Sequence, residues 1–165
     1  MTVQVAIMTV SDSAVAGTRE DLSGPALEQR VVELGWTVAK RALVPDDRSL
    51  IAKAVMNLCL CDVILTTGGT GLAPRDVTPE AIKMIAEREV PGFGELMRAE
   101  GLKSTKFAPL SRGGAVTRGS ALIVMLPGSP RGAVESLNAV ANLIPHVVDL
   151  LHGRTEHKEK LGAGS

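Results

Sequence analysis

The stretch from Asp62 to Ala81, D-V-I-L-T-T-G-G-T-G-L-A-P-R-D-V-T-P-E-A, constrains the fold of this chain more than any other. Val63, Ile64 and Leu65 form a short apolar run, the pattern of a strand buried on both faces of a parallel sheet. The strand is predicted to end at Gly68. In the loop Gly68-Gly69-Thr70-Gly71 the glycines carry no Cβ, so the backbone can take positive φ and turn its N–H groups toward an anion. Arg75 and Asp76 set a cation and a carboxylate beside that turn. Thr78-Pro79 then predicts a helix start, with Thr78 as N-cap and Pro79 in the first helical position.

Two standard phosphate loops are excluded here. A Walker A loop needs Gly-Lys-Ser or Gly-Lys-Thr, and no lysine occurs between Asp62 and Ile82. The dinucleotide fingerprint G-x-G-x-x-G would need a third glycine where Pro74 stands. A ligand-free βα turn would account for Gly-Gly-Thr-Gly alone, but the adjoining Arg75-Asp76 pair argues against it.

The length of 165 residues suits one domain with a real core, with 45% hydrophobic and 22% charged residues. Lys+Arg and Asp+Glu both number 18, so no global field draws nucleic acid or an anionic membrane. Aromatics are limited to Trp36, Phe93 and Phe107, too few for a base-stacking platform. Cys59 and Cys61 fit neither C-x-x-C redox spacing nor a zinc pattern and read as reduced core thiols. His146, His152 and His157 show no zinc spacing either, and surface or packing roles are expected for them. The chain starts on a strand-like run without a basic leader, and no run is long enough to span a membrane, so the cytoplasm is the expected compartment.

Along the chain, Val3 to Val10 predicts the first strand, running into Ser11-Asp12-Ser13 and a polar loop to Ser23. Open α/β sheets place ligands at the carboxyl ends of their strands, which makes Ser11 and Asp12 site candidates. Ser23-Gly24-Pro25 opens a helix with Leu27, Val31 and Leu34 on one face, closed by Gly35. Trp36 to Val44 predicts a strand near an edge, because Lys40 and Arg41 interrupt it. Either Asp46 or Asp47 suits the N-cap of the helix from Arg48. Asp46 and Asp76 also sit in loops beside strands, and two such carboxylates can hold Mg²⁺ together with substrate phosphates.

Ala81, Ile82, Ile85 and Ala86 predict a helix face, broken by Pro91-Gly92 before a short helix around Glu95 to Glu100. Gly101 to Ser120 lacks periodicity. It reads either as a solvated basic loop or, through Leu110-Ser111-Arg112-Gly113-Gly114, as a phosphate-binding one. Ala121 to Leu126 predicts the last strand and delivers Pro127-Gly128-Ser129-Pro130, a second anion-friendly junction with Ser129 as N-cap. Ala133 to Leu151 reads as helix, interrupted near Pro145. These alternating elements predict an α/β fold, a three-layer α/β/α sandwich with a largely parallel sheet. One domain is expected over 1–152, followed by a polar tail over 153–165.

The ordered set T-V-S-D-S, V-P-D-D, L-T-T-G-G-T-G-L-A-P-R-D-V-T-P-E-A, L-S-R and L-P-G-S-P resembles the molybdopterin adenylyltransferases of the MogA/MoaB family and the G domain of gephyrin over roughly residues 3 to 151. The resemblance implies transfer of AMP from ATP to the molybdopterin phosphate with release of pyrophosphate, in molybdenum cofactor biosynthesis. It implies that Asp46 and Asp76 are the functional aspartates holding Mg²⁺, and that Gly68, Gly69, Thr70 and Gly71 take nucleotide phosphate. Ser11, Asp12 and Arg75 join the substrate site. Ser111 and Arg112 match a pterin and phosphate contact, and Pro127, Gly128, Ser129 and Pro130 match a loop lining the nucleotide pocket. It also implies a homotrimer and contacts with other proteins of cofactor synthesis. Gly101 stands where some relatives carry serine, and Leu72 where many carry phenylalanine. The rival reading is a non-catalytic molybdopterin-binding or scaffolding module of the MoaB type. A sulfur or redox protein built on Cys59 and Cys61 is a third.

Overall fold

The computed structural model describes residues 2–154. In chain order the elements are β1 (Gln4–Val10), α1 (Asp12–Val15), α2 (Ser23–Glu33), β2 (Thr37–Val44), α3 (Arg48–Leu58), β3 (Val63–Thr67), α4 (Thr78–Lys83) and β4 (Arg88–Val90). They continue with α5 (Pro91–Gly101), a 3-10 turn (Ala108–Leu110), β5 (Gly114–Arg118), β6 (Ala121–Leu126), α6 (Pro130–Val140) and α7 (Ile144–Leu151). The expected tail from residue 155 onward, and His157 with it, lie outside the described residues.

The strands form one sheet in the order β2-β1-β3-β6-β5-β4. The β2-β1, β1-β3 and β3-β6 pairs are parallel, whereas β6-β5 and β5-β4 are antiparallel. The pleat splits each central strand between two cores. Val5 and Ile7 of β1, with Val63 and Leu65 of β3, pack against Leu27 and Val31 of α2, Leu137 of α6 and Ile144 of α7. Ala6, Met8 and Ile64 face the other way, onto Ile51 and Val55 of α3 and Ile82 of α4. Two helical layers therefore sandwich a sheet whose centre is dry on both faces, as the unbroken apolar runs of β1, β3 and β6 require. Removing one of these fully buried side chains, Leu65→Ala for example, would cost about 2–5 kcal/mol.

Both margins of the sheet differ from its centre. β2 is an edge strand, exposed along Ala39, Lys40 and Arg41 as its charges predict. The other edge is β4, only three residues long, with Arg88 and Glu89 exposed.

The antiparallel end corrects the sequence reading. Pro91 opens α5 rather than breaking a helix, because its fixed φ suits a first helical position. α4 closes at Lys83, so Ile85 and Ala86 pack beside the second core from outside that helix. The aperiodic Gly101–Ser120 stretch contains β5, joined to β6 through Gly119 at φ +55°, a hairpin turn that a two-residue Gly-Ser loop makes. Thr78 does not cap α4. Its hydroxyl donates to the Gly68 carbonyl at 2.8 Å, leaving Val77 in the capping position without a side-chain bond.

Candidate active site

β1 and β3 lie side by side while their connections leave in opposite directions along the sheet, so a crevice opens beyond their carboxyl ends. A cleft of about 560 Å³ occupies it. Thr9, Ser11 and Asp12 enter from β1, and Thr67, Gly68 and Gly69 from β3. Asp46 and Asp76 complete the lining with Gly128, Ser129 and Pro130 after β6. Sequence-predicted residues from four separate turns thus meet in one place.

Glycine is required at two of these positions. Gly68 and Gly69 have φ of +103° and +70°, and a Cβ on Gly68 would run into the Val10 carbonyl oxygen. Gly71 lies outside the positive-φ region and is small for another reason: a Cβ there would meet Asp76 Oδ2 at 2.7 Å. The loop is pinned by its carbonyls. Thr78 N–H donates to Gly69 O at 3.1 Å, and Arg112 N–H to Thr70 O at 2.9 Å. Gly68 N–H is spent on Leu126 O, but the N–H groups of Gly69, Thr70 and Gly71 have no acceptor among the described residues. Gly69 lines the cleft, so its free amide is the one placed to meet an anion there.

The carboxylates form an interlocked set. Asp12 N–H donates to Asp46 Oδ2 at 2.9 Å, and Asp46 N–H returns a bond to Asp12 Oδ1 at 3.0 Å. Asp47 caps α3 through Leu50 N–H at 2.9 Å, which resolves the capping alternatives and leaves Asp46 to the cleft. Burial pushes the Asp46 carboxyl above its ordinary pKa, and the charges of Asp12 and Asp76 push the same way against the Asp12 N–H. Asp76 Oδ2 accepts the Ala73 N–H at 3.0 Å. Asp46 Oδ1 and Asp76 Oδ1 have no hydrogen-bond donor among the described residues. Two carboxylates, each with one free oxygen, in the cleft with the free Gly69 amide suit Mg²⁺, which takes few protein ligands and completes its shell with water and substrate oxygens. Among the described residues no group of three or more His, Cys, Asp or Glu could hold a metal without such help.

The two arginines expected from sequence at the substrate site both make bonds within the protein. Arg75 grips Asp12 with two bonds of 2.9 Å, which holds the Asp12 carboxyl below its ordinary pKa and raises that of Arg75. Arg112 gives one bond to the protein from each guanidinium nitrogen: Nε to Gly71 O, Nη2 to Asp76 O, both at 2.8 Å, and Nη1 to Glu80 Oε1. It braces the glycine loop and Asp76, and two of its five N–H donors remain uncommitted. The Gly-Gly-Thr-Gly turn needs its carbonyls held so that its amides stay outward, and this guanidinium does that.

Beyond Ser129 the cleft adjoins a smaller, more apolar pocket of about 190 Å³. Met97, Phe107, Ala108 and Pro127 wall it, and Ser111 lies in it rather than in the cleft. Ser129 Oγ accepts Gly132 N–H at 3.1 Å and so caps α6 as predicted. Thr67 Oγ1 donates to Pro127 O at 2.6 Å and ties β3 to this loop. Sequence reading missed Arg19 and Asp21, which line the cleft, and Met97 and Arg98, which line the pocket. Only Asp21 carried a signal, as an acidic residue three positions before a helical N–H, which it caps at Gly24.

The chain matches the family described as a probable molybdopterin binding domain over residues 6–146. It is 43% identical to the molybdopterin adenylyltransferase of Helicobacter pylori strain J99, covering 92% of this chain and 89% of that one. Identity to the enzyme of the same name from Escherichia coli K12 is 40%, over 92% and 80% of the two chains. A solved structure of the molybdopterin biosynthesis enzyme MoaB from Thermus thermophilus superposes with a TM-score of 0.87 at 47% identity, over 92% of this chain and 98% of that one.

Proposed function

The chain belongs to the molybdopterin-binding domain family, and on that footing we propose that it is a molybdopterin adenylyltransferase of molybdenum cofactor biosynthesis. One observation carries the reading: the free amide of Gly69 and two half-free carboxylates share a cleft that has Ser129 in common with an apolar pocket. A nucleotide triphosphate suits the first and a flat heterocycle the second, so the phosphate of one ligand meets the phosphates of the other where they join.

In the proposed reaction an oxygen of the molybdopterin phosphate attacks the α-phosphorus of ATP. The new P–O–P linkage forms as the bond from the α-phosphorus to the bridging oxygen breaks, and pyrophosphate leaves with the electron pair. Two anions must approach each other, so the protein's contribution is neutralisation and alignment. The amide of Gly69 holds a phosphate oxygen, with Gly128, Ser129 and Pro130 as the facing wall. Asp46 and Asp76 are the residues that would hold Mg²⁺, which supplies charge neutralisation on the polyphosphate. Ser111 contacts the second substrate from the pocket, and Arg112 keeps the glycine loop and Asp76 in place. Asp12, Arg75 and Ser11 frame the mouth.

The same reading carries one domain over 1–152, a homotrimer, a cytoplasmic location and working contacts with other proteins of cofactor synthesis. Among the described residues no helix is long and apolar enough to cross a membrane.

Mixing the protein with Mg²⁺, ATP and molybdopterin tests the proposal. Pyrophosphate release that requires all three is the expected result. Tight molybdopterin binding without release would replace the enzyme by a binding module.

A further inference from the structure

Arg98 has no place in the machinery described so far, yet its surroundings are built around it. It lies on α5, and its Nη1 donates to Gly113 O at 2.8 Å and to Ser111 O at 3.3 Å. One turn earlier stands Gly94, where a Cβ would come within 2.8 Å of Arg98 Nη2 and 2.9 Å of Nη1. The missing methyl group is the seat of the guanidinium. Arg98 Nε and Nη2 have no acceptor among the described residues, and no carboxylate there comes within ion-pair distance. Glu89 and Glu95 line the hollow on the other side of Arg98 without reaching it. A half-buried guanidinium with unspent donors is free to give them to a ligand that displaces water from it.

Its position indicates which part of a ligand that is. The apolar pocket shares Ser129 with the acidic cleft, whereas it shares Arg98 and Gly113 with the hollow beside α4 and β4. A ligand whose phosphate points to Ser129 therefore brings its other end to Arg98. We infer that Arg98 is the specificity-determining residue for the second substrate, donating to the ring carbonyl of a bicyclic lactam such as pterin, seated among Met97, Phe107 and Pro127. The carbonyl oxygen has two lone pairs, and two N–H groups of the planar Arg fork converge on them. Through its two carbonyl bonds the same group fixes the Ser111–Gly113 backbone. This inference rests on the proposed molybdopterin reading, and it names what that site recognises.

The test uses the full chain and the variants R98M and R98K, with R98Q in reserve should R98M fail to fold. Pyrophosphate release is measured against molybdopterin at saturating ATP and Mg²⁺. The KM for molybdopterin should rise about ten- to a hundred-fold in R98M, as for loss of charge-assisted hydrogen bonds. R98K should recover part of that loss, and the KM for ATP should stay put. In a separate binding arm, a fluorescent oxidised pterin without phosphate should titrate onto wild type, be lost from R98M, and resist competition by inorganic phosphate. Equal rises in both KM values, or a fall in Tm with unchanged molybdopterin KM, would reduce Arg98 to a structural brace and overturn the inference. Displacement of the probe by phosphate would overturn it too, since Arg98 would then read the anion. Wild type that binds the pterin but releases no pyrophosphate would sink the adenylyltransferase reading and leave this one standing.

Discussion

The acidic cleft and the apolar pocket touch at Ser129 and are otherwise built on opposite plans. The cleft is made from the carboxyl ends of parallel strands, where backbone geometry and short side chains fix the lining: two positive-φ glycines, the free amide of Gly69, and Asp12, Asp46 and Asp76. The pocket is made from α5, the 3-10 turn and the start of α6, where long side chains such as Met97, Phe107 and Arg98 do the lining. The difference separates two tasks. Charge placement needs atoms that cannot move, which backbone and Asx-type contacts supply; recognising a heterocycle needs shape, which side chains supply and substitution can retune.

The comparison can be broken at either side. The largest effect is expected from Asp76→Asn, which should lower pyrophosphate release by roughly 10²–10³-fold while leaving molybdopterin binding in place. Unaltered turnover in that variant would remove Asp76 from the cleft's chemistry. Next comes Arg112→Met, which strips donors from Gly71 O and Asp76 O and leaves Glu80 without its partner. We expect a loss of about 1–3 kcal/mol in thermal denaturation together with reduced turnover, and a stable, fully active variant would show that the loop holds itself. Ser111→Ala should act only on the pocket side, raising the KM for molybdopterin about fivefold with the ATP dependence unchanged; a changed ATP dependence would merge the two regions into one.

The smallest effect concerns the cleft alone, without substrate or metal. Because burial raises the Asp46 pKa in the folded state, its ionised form is costlier folded than unfolded, and that cost sets in as pH rises through the folded value. Asp46→Asn should therefore raise Tm slightly at neutral pH, and the gain should shrink as the pH falls through the acidic range. A lower Tm at neutral pH would mean that the Asp46 hydrogen bond from Asp12 outweighs the repulsion.

The same division decides what could be read in the sequence. β1, β3 and β6 are buried on both faces over nearly all their length, so their apolar runs and the turns after them were legible, as were Asp46, Asp76 and the glycine loop. β4 and β5 were not. β4 has three residues with two exposed charges, and β5 carries no alternation because both of its faces are covered, Ala115 in one core and Val116 in the other. Arg112 illustrates a second limit. Its type and neighbours suggested phosphate, but its three partners come from residues 32 to 41 positions earlier in the chain, and only the fold brings them to it. Thr78 failed as a cap for a similar reason, since the Gly68 carbonyl competes for its hydroxyl.

The two sheet margins bear on assembly. One offers a strand armed with Lys40 and Arg41, the other a strand of three residues with little backbone to offer. Neither invites a neighbouring copy to continue the hydrogen-bond ladder. In the proposed trimer the subunits would then meet through helix and loop surfaces rather than through sheet edges.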